Sequence, residues 1–252
     1  GAASSAVIFS ASLVNSTFNW TNNNTSIGLG ASGNGNIPSF TILNSTLSTQ
    51  TASITVVASS GTCAGPAQSF TIAALPTPQI QNPGNQVLCS GANSAAINFS
   101  GQPIGNTYNW GNDNPNIGLA TAGQGNIPSF LASNPGATSD TAVISFSATN
   151  SGCSSGSVSF QIIVLPIPSV GQPTNIQLCH QQNYAGFTFT NPNIVAGTSY
   201  IWTNDNASIG LAINGAGLGL PAFVASNLGT SLSTANISVQ ASANGCLSAP
   251  VT

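Results

Sequence analysis

The chain has 252 residues and carries almost no charge: it contains no Lys or Arg, and its formal net charge is −3. Nucleic acids and anionic membrane surfaces are bound through Lys and Arg, so the composition excludes both classes of partner. No stretch approaches the roughly 18 apolar residues of a membrane-spanning helix, and no membrane insertion is expected. A hydrophobic content of 41% favours folded cores over disorder.

One ten-residue phrase occurs three times along the chain. It is WTNNNTSIGL at 20–29, WGNDNPNIGL at 110–119 and WTNDNASIGL at 202–211. The spacing of about 90 residues exceeds that of solenoid repeats and matches one small β-sandwich domain. We therefore predict three repeats, at 1–77, 78–167 and 168–252. The first is expected to lack its N-terminal part and the last its C-terminal part, as in a segment of a longer array.

Strands are predicted in every repeat from the alternation of apolar and polar residues. The alternation covers Ala52–Ala58 in the first repeat, Thr141–Ala148 and Val158–Val164 in the middle one, and Ala235–Ala241 in the last. Period two in three copies indicates half-buried antiparallel strands, and helical periodicity is absent. The predicted fold is all-β, with tandem Ig-like antiparallel β-sandwich domains in a linear string.

The predicted repeats meet at two Leu-Pro-x-Pro segments, Leu75–Pro78 and Leu165–Pro168. Proline fixes its own φ and biases the preceding residue towards extended geometry. We therefore expect short and stiff junctions between domains.

The cysteines suggest one disulfide bond within the middle repeat and one within the last. By position, Cys89 pairs with Cys153 and Cys179 pairs with Cys246, at separations of 64 and 67 residues, which leaves Cys63 without a partner. Free buried thiols are the alternative. Bonds of this kind imply export to an oxidising compartment.

This pairing requires that an even number of full-length strands separates the two cysteines of a repeat. Four strands are expected between Cys89 and Cys153, at Ala95–Gly101, Thr107–Gly111, Ile127–Ser133 and Thr141–Thr149. If Ile117–Thr121 forms a fifth full crossing, the pairing fails.

Few residues are candidates for metal binding or catalysis. Asp113 and Asp205 follow the tryptophan and suggest a calcium site, but calcium takes about 6–8 oxygens and each repeat offers at most one carboxylate here. Asn and Asp also close turns through their own backbone, and we favour that role. His180 is the single histidine and has no carboxylate nearby in sequence. We predict no metal site, no cofactor and no enzymatic activity.

The repeated phrase itself is predicted to be a folding motif. We expect the tryptophan to fill the core, the Asn/Asp-rich segment to turn the chain, and the Ile-Gly-Leu end to return it to the core. The structural residues of this prediction are Trp20, Trp110, Trp202, Gly28, Gly118 and Gly210. Each copy is followed by a Gly-x-Gly segment that precedes a Pro-containing strand, where a bend or bulge is more plausible than a phosphate loop.

The complete pattern resembles a known family. It runs from Cys89 through Tyr108, Trp110 and Ile117–Leu119 to Cys153, and is repeated in the last repeat. This pattern is similar to the PKD-like, Ig-like repeats of very large surface proteins in gliding Bacteroidota. The resemblance implies type IX secretion, display on the cell surface, and a part in surface attachment and gliding motility.

The resemblance also bears on modification and partners. The segment around Thr141, Asp-Thr-Ala, resembles the O-glycosylation signal of Bacteroidota and makes Thr141 a candidate site. The implied partners are neighbouring repeats of the same long chain, and polysaccharide or solid surfaces.

The leading hypothesis is a stalk or filament segment of a large adhesin. A carbohydrate-binding accessory module is a first alternative, and it predicts a row of exposed aromatic side chains. A self-assembling filament subunit joined by strand exchange is a second, and an accessory region of a secreted hydrolase is a third.

Overall fold

The computed structural model describes all 252 residues, Gly1–Thr252, and the chain is all-β with several antiparallel sheets, as predicted. The chain forms two compact units. The first comprises Gly1–Asn82, Asn98–Trp110 and Phe146–Val158, and the second comprises Pro83–Ile97, Gly111–Ser145 and Ser159–Thr252. The predicted middle repeat contributes residues to both units, so the boundaries at 77 and 167 stay a prediction.

The strands follow one another in three similar series. The first series is β1 (Thr17–Asn22), β2 (Ser32–Asn34), β3 (Gln50–Ser60), β4 (Cys63–Ala64) and β5 (Gln68–Ala74). The second is β6 (Gln79–Gln81), β7 (Gln86–Cys89), β8 (Ser100–Gln102), β9 (Thr107–Asn112), β10 (Ala122–Gln124), β11 (Asp140–Asn150), β12 (Cys153–Ser154) and β13 (Val158–Leu165). The third is β14 (Asn183–Tyr184), β15 (Phe187–Thr188), β16 (Ser199–Asn204), β17 (Asn214–Gly217), β18 (Gly219–Leu220), β19 (Phe223–Val224), β20 (Ile237–Ala243) and β21 (Cys246–Leu247).

Three one-turn 3-10 helices interrupt the strands, one in each copy of the ten-residue phrase. They are Thr25–Ile27, Pro115–Ile117 and Ala207–Ile209. Each of these helices is a single turn, and none could span a membrane.

In the first unit, β3 is the central strand of a sheet with the order β2-β1-β3-β4, and β5 also pairs with β3. The predicted alternation is confirmed, since Ala52, Ile54 and Val56 are buried. These residues pack in one core with Trp20, opposite Val56 in the register of β1 and β3. Burial of apolar surface, at roughly 25 cal/mol per Å², is the main stabilising contribution of such a core.

Five strands of the middle series form a sheet with the order β10-β9-β11-β13-β7, and β12 extends β11 as a hairpin, whereas β6 and β8 form a separate two-stranded sheet. In the second unit, β7 runs parallel to β13, so that Cys89 lies opposite Leu165. Last in the chain comes a sheet with the order β17-β16-β20-β21. The core of this part of the second unit contains Phe189, Tyr200, Trp202, Leu211, Val239 and Ala241.

Two predicted strands are largely replaced by isolated bridges. The stretches Ala95–Gly101 and Ile127–Ser133 meet only at the pair Ile97 and Ile127, with a further bridge at Asn93 and Leu131. Ser94 explains the break, because its hydroxyl accepts the backbone N–H of Phe130 at 3.0 Å in place of a ladder bond. The first repeat has the same arrangement, with Ser4 and Phe40.

The predicted disulfide pairing is wrong. Cys89 is bonded to Cys246, 157 residues further along the chain, with Cα atoms 5.7 Å apart, and Cys63, Cys153 and Cys179 are free thiols. The two cysteines of the middle repeat are associated with opposite ends of β13. Cys89 is in register with the last residue of β13, whereas Cys153 lies opposite Asn150 in the hairpin that precedes β13. The even strand count assumed for a bond within the repeat therefore does not hold.

Candidate functional site

The repeated phrase is the feature of the chain richest in polar groups, and the structure fixes its tryptophan in the core. Trp20, Trp110 and Trp202 are 6%, 7% and 3% exposed. Their indole nitrogens are buried and make no hydrogen bond, so packing alone holds the rings. A ring held in this way offers no face for stacking against a sugar.

The first Asn of the phrase ties the turn to the strand that leads into it. In the middle copy, the Nδ2 of Asn112 donates to the carbonyl oxygens of Leu119 at 3.0 Å and Ala120 at 3.2 Å. Its Oδ1 accepts the backbone N–H of Asn114 at 3.0 Å. Asn22 and Asn204 are buried and make the equivalent three bonds. The amide is therefore committed to the fold.

The second residue of the Asn/Asp-rich segment accepts a hydrogen bond from a neighbouring strand. Oδ1 of Asp113 accepts the backbone N–H of Val143 at 2.7 Å. Asn23 makes the equivalent bond to the N–H of Ser53, also at 2.7 Å. Because an amide and a carboxylate serve equally well, the charge is not required at this position.

Asp205 makes the same contact with an additional partner. Its carboxylate accepts the backbone N–H of Asn236 at 2.7 Å and the Nδ2 of the same residue at 2.8 Å. These donors, the backbone one first, lower the pKa of Asp205 below its ordinary value. No group of three or more His, Cys, Asp or Glu side chains is placed to hold a metal ion. The geometry favours the turn interpretation over calcium.

The third residue of the Asn/Asp-rich segment, Asn114 in the middle copy, caps the N-terminus of the 3-10 helix. Oδ1 of Asn114 accepts the N–H of Asn116 at 3.2 Å, and its Nδ2 donates to the Asp140 carboxylate at 2.6 Å and to the Thr141 carbonyl at 3.1 Å. Asn24 and Asn206 occupy the same capping position. Asp140, the Asp of the candidate glycosylation signal, is thus hydrogen-bonded to the turn from the start of β11. Thr141 is exposed at the start of β11, and its modification stays a prediction.

Glycine ends each 3-10 helix because no other residue fits. Gly28, Gly118 and Gly210 have φ values of 94°, 94° and 95°, in the left-handed region. A Cβ atom on Gly118 would overlap the carbonyl oxygen of Leu131, and the other two glycines face equivalent carbonyls. The tight turn brings Ile117 fully into the core, and Leu119 is 3% exposed.

Each Gly-x-Gly segment begins in a short strand, β2, β10 or β17, and the chain bends where that strand ends, at Gly35, Gly125 and Leu218, so the predicted bend is present. In the first and last copies, a Cβ atom on Gly33 or Gly215 would collide with the indole of Trp20 or Trp202. The glycine therefore serves the close approach of strand and ring, and no phosphate loop is formed.

His180 has a structural contact only. Its Nδ1 accepts the backbone N–H of Asn227 at 3.1 Å. In the middle repeat, the hydroxyl of Ser90 accepts the N–H of Asn134 at 2.9 Å in the same way. A serine replaces the histidine without loss of the bond, which argues against catalysis.

The surface carries no row of aromatic side chains, because every Phe, Tyr and Trp is buried or half-buried. The large exposed apolar residues are all Ile, Leu or Val. One open depression of about 380 Å³ lies among Ser208 and the loop 226–233, and its lining holds hydroxyl, amide and leucine side chains without any charge. The carbohydrate-module alternative thus lacks the surface that it predicts.

No protein-family model matches the chain, and no curated protein matches it. Among solved structures, the chain is similar to domains A168–A170 of titin, with 14% identity and a TM-score of 0.38 over 93% of this chain and 85% of that one. It is similar to mouse cadherin-23 EC22–24, with 12% identity and a TM-score of 0.37 over 91% and 83% of the two chains. It is also similar to the human desmocollin-1 ectodomain, with 12% identity and a TM-score of 0.33 over 93% of this chain and 52% of that one, so the chain spans about half of that ectodomain. No functional conclusion follows from likenesses at these TM-scores.

Proposed function

We propose that this chain is a structural segment of a large exported surface adhesin, in which tandem Ig-like repeats span distance and bear load. Following the resemblance of its motif, the parent protein would be exported by type IX secretion in a member of the Bacteroidota. It would act there in surface attachment and gliding. The segment itself would not be an enzyme. Its partners would be neighbouring repeats, with weak contacts from exposed amides and hydroxyls to polysaccharide or solid surfaces.

The observation that carries the proposal is the disulfide between Cys89 and Cys246. These cysteines belong to two different predicted repeats, so the bond fastens one repeat to the next instead of closing a single domain. A covalent tie between repeats resists separation under tension, which is a property that a stalk needs and a ligand-binding module does not. A disulfide also fits an exported protein.

The junction between the middle and last repeats supports the same function. Pro166 and Pro168 are fully buried, which removes the freedom that a linker would need to bend. Asn193 holds the segment from its other side: its Nδ2 donates to the carbonyl of Ile167 at 2.7 Å, and its Oδ1 accepts the N–H of Ser169 at 3.0 Å. The first junction also has two buried prolines, Pro76 and Pro78.

The motif supports a structural role because its polar side chains and its tryptophan are all engaged within the fold. The three Asn/Asp side chains of each copy are occupied by internal hydrogen bonds, and the tryptophans are enclosed. Every feature that first suggests a ligand site is thus accounted for by the folding of the repeat.

The experiment that tests the proposal identifies the native polypeptide and its location. Antibodies raised against the 252-residue chain are used to blot whole cells of the source bacterium and to label intact, unpermeabilised cells. We expect a polypeptide far larger than the 25.0 kDa of this chain, with label at the cell surface. A native species near 25 kDa would favour a self-assembling subunit, and label confined to the cell interior would overturn the proposal.

A further inference from the structure

The disulfide joins two kinds of cysteine position. We name Cys89 and Cys179 the leading cysteines, because each lies four residues before an equivalent pairing, Asn93 with Leu131 and Asn183 with Val224. We name Cys63, Cys153 and Cys246 the hairpin cysteines. The bond observed is that between the leading cysteine of the middle repeat and the hairpin cysteine of the last one.

The three hairpin cysteines occupy the same backbone position. Each is the first residue after a two-residue turn and lies opposite the last residue before it: Cys63 faces Ser60, Cys153 faces Asn150 and Cys246 faces Ala243. The first turn residue has a positive φ in all three hairpins. Two residues after each cysteine, a backbone N–H donates to a carbonyl of the preceding strand. The pairs are Gly65 to Ala58 at 2.8 Å, Ser155 to Ala148 at 2.8 Å and Ser248 to Ala241 at 2.9 Å.

The two leading cysteines are equivalent as well. The carbonyl of Cys89 accepts the N–H of Ala92 at 3.1 Å, and that of Cys179 accepts the N–H of Gln182 at 3.0 Å. The residue before each donor bonds across to the carbonyl of Ala132 or Ala225, at 2.7 and 2.8 Å. The backbone after each leading cysteine is thus hydrogen-bonded in the same way.

The first repeat reproduces the residues that come directly after a leading cysteine. The carbonyl of Ala2 accepts the N–H of Ile42 at 2.8 Å, as the carbonyl of Ala92 accepts the N–H of Ala132 at 2.9 Å. Gly1 and Ala2 therefore take the place of Gly91 and Ala92, so a cysteine placed two residues before Gly1 would occupy the leading position. Cys153 lies in the same compact unit as Gly1, just as Cys89 and Cys246 share the other unit.

The accessibility of the hairpin position follows its bonding. Cys246 is 1% exposed in its bond to Cys89, whereas Cys153 is half-buried and Cys63 is exposed. Cys179 is an exposed leading thiol. Cys63, Cys153 and Cys179 are thus free thiols at positions equivalent to those of the two bonded cysteines.

We propose that Cys63, Cys153 and Cys179 are crosslinking sites, and that the leading cysteine of each repeat bonds to the hairpin cysteine of the repeat that follows. The partner in each case is a neighbouring repeat of the same kind in the same chain, so this inference rests on the proposed function as a tandem array. Such an array is fastened covalently at every junction.

The chemistry is an oxidation of two thiols. An S–S bond forms as two S–H bonds break, and the thiols give up two protons and two electrons. A disulfide oxidant accepts the electrons and is reduced to two thiols. Oxidised glutathione serves this purpose in vitro, and a thiol–disulfide oxidase of the exporting compartment serves it in the cell.

The test supplies Cys153 with a leading cysteine. The five residues Gln-Val-Leu-Cys-Ser, copied from 86–90, are added directly before Gly1 of the full chain. The protein is refolded with reduced and oxidised glutathione, its free thiols are alkylated, and it is digested with chymotrypsin without reduction. Chymotrypsin suits a chain that offers trypsin no Lys or Arg, and Phe, Tyr and Trp residues separate all the cysteines compared. Mass spectrometry then identifies the linked peptides.

We expect the added cysteine to be bonded to Cys153, with Cys63 and Cys179 alkylated. Alkylation of Cys153 should fall at least tenfold relative to the chain without the extension. In the matched control, Cys153→Ser in the extended chain leaves the added thiol free. A bond between the added cysteine and Cys63, or an added cysteine that stays alkylated, would overturn the proposal.

The bond between Cys89 and Cys246 is the internal control for folding, because it must form in both proteins. If it is absent from both, the observation that motivates the proposal is itself refuted. Failure of the added bond alone would leave the size and surface location of the native polypeptide unaffected, so it is distinguishable from failure of the proposed function.

Discussion

Trp202 and Gly215 lie directly opposite each other in the register of β16 and β17, and the indole occupies the space where a side chain at position 215 would begin. Trp20 and Gly33 have the same relationship in the first repeat. The glycine after the motif therefore packs directly against the buried tryptophan before it. This pair connects the repeated phrase to the Gly-x-Gly segment that follows it.

Gly215→Ala should destabilise the protein by about 1–3 kcal/mol, since an added methyl group in a filled core forces the ring or the strand to move. Denaturant unfolding followed by tryptophan fluorescence measures the effect. Gly156→Ala is the matched control, because a Cβ there meets nothing within 4 Å. If the two variants are equally stable, the ring does not constrain the strand.

Gly118→Ala should cost more than the left-handed backbone alone explains. The φ of 94° costs an alanine roughly 1–2 kcal/mol, and the overlap with the Leu131 carbonyl adds to it. Gly125→Ala separates the two causes, since Gly125 has a φ of 72° with no atom within 4 Å of a Cβ. Urea titrations should give a clearly smaller free energy of unfolding for Gly118→Ala than for Gly125→Ala. Equal losses would refute a role for the carbonyl contact.

Asp113 should tolerate an amide but not a methyl group. Asp113→Asn keeps an oxygen for the N–H of Val143, as Asn23 does for Ser53, and we expect a change of less than about 0.5 kcal/mol. Asp113→Ala removes the acceptor and should cost about 1 kcal/mol. Thermal unfolding with and without millimolar calcium completes the test. A rise in Tm with calcium that Asp113→Asn abolishes would restore the calcium interpretation.

The free energy of unfolding should depend on pH through the ionisation of Asp205. Its pKa is lowered in the folded state by the two donors of Asn236, so the folded protein binds this proton less tightly than the unfolded chain does. The contribution is fully present above the unfolded pKa of about 3.9 and is lost as the pH falls through the lower folded pKa. Between pH 5 and pH 2, Asp205→Asn should therefore lose less stability than the parent protein.

Asn236→Ala provides an intermediate case for the same measurement. It removes the side-chain donor to Asp205 and leaves the backbone donor in place. The loss of stability on acidification should lie between those of the parent and Asp205→Asn. A variant series with one common pH profile would contradict the assignment.

The sequence predicts the parts of the fold that local patterns determine. Ala142, Ile144 and Phe146 are buried as their period-two spacing predicts, because each inward position faces a core on one side of a sheet only. The strand at Ile127–Ser133 is broken by the Ser94 hydroxyl, which replaces a ladder bond from a distant part of the chain. No local pattern signals such a substitution.

The disulfide pairing could not be predicted from a local sequence pattern, for a related reason. Its partners are 157 residues apart, and their choice depends on which end of each sheet a cysteine occupies. The parallel pairing of β7 with β13 decides this for Cys89, and parallel pairing has no local turn signal. The informative sign in the sequence is that Cys246 is equivalent to Cys153 one repeat further on.

Stretching a single molecule should reveal the disulfide as a limit to extension. When the oxidised chain is pulled from handles at Gly1 and Thr252, the residues between Cys89 and Cys246 are bypassed by the covalent bond, however completely they unfold. Reduction releases 157 residues, which at roughly 3.5 Å each add about 550 Å of contour length. Optical-trap records before and after addition of dithiothreitol measure this difference. Cys89→Ser should give the longer contour in both conditions, and Cys63→Ser should behave like the parent because Cys63 is not bonded. A contour length that reduction does not change would mean that no bond between the repeats carries the force.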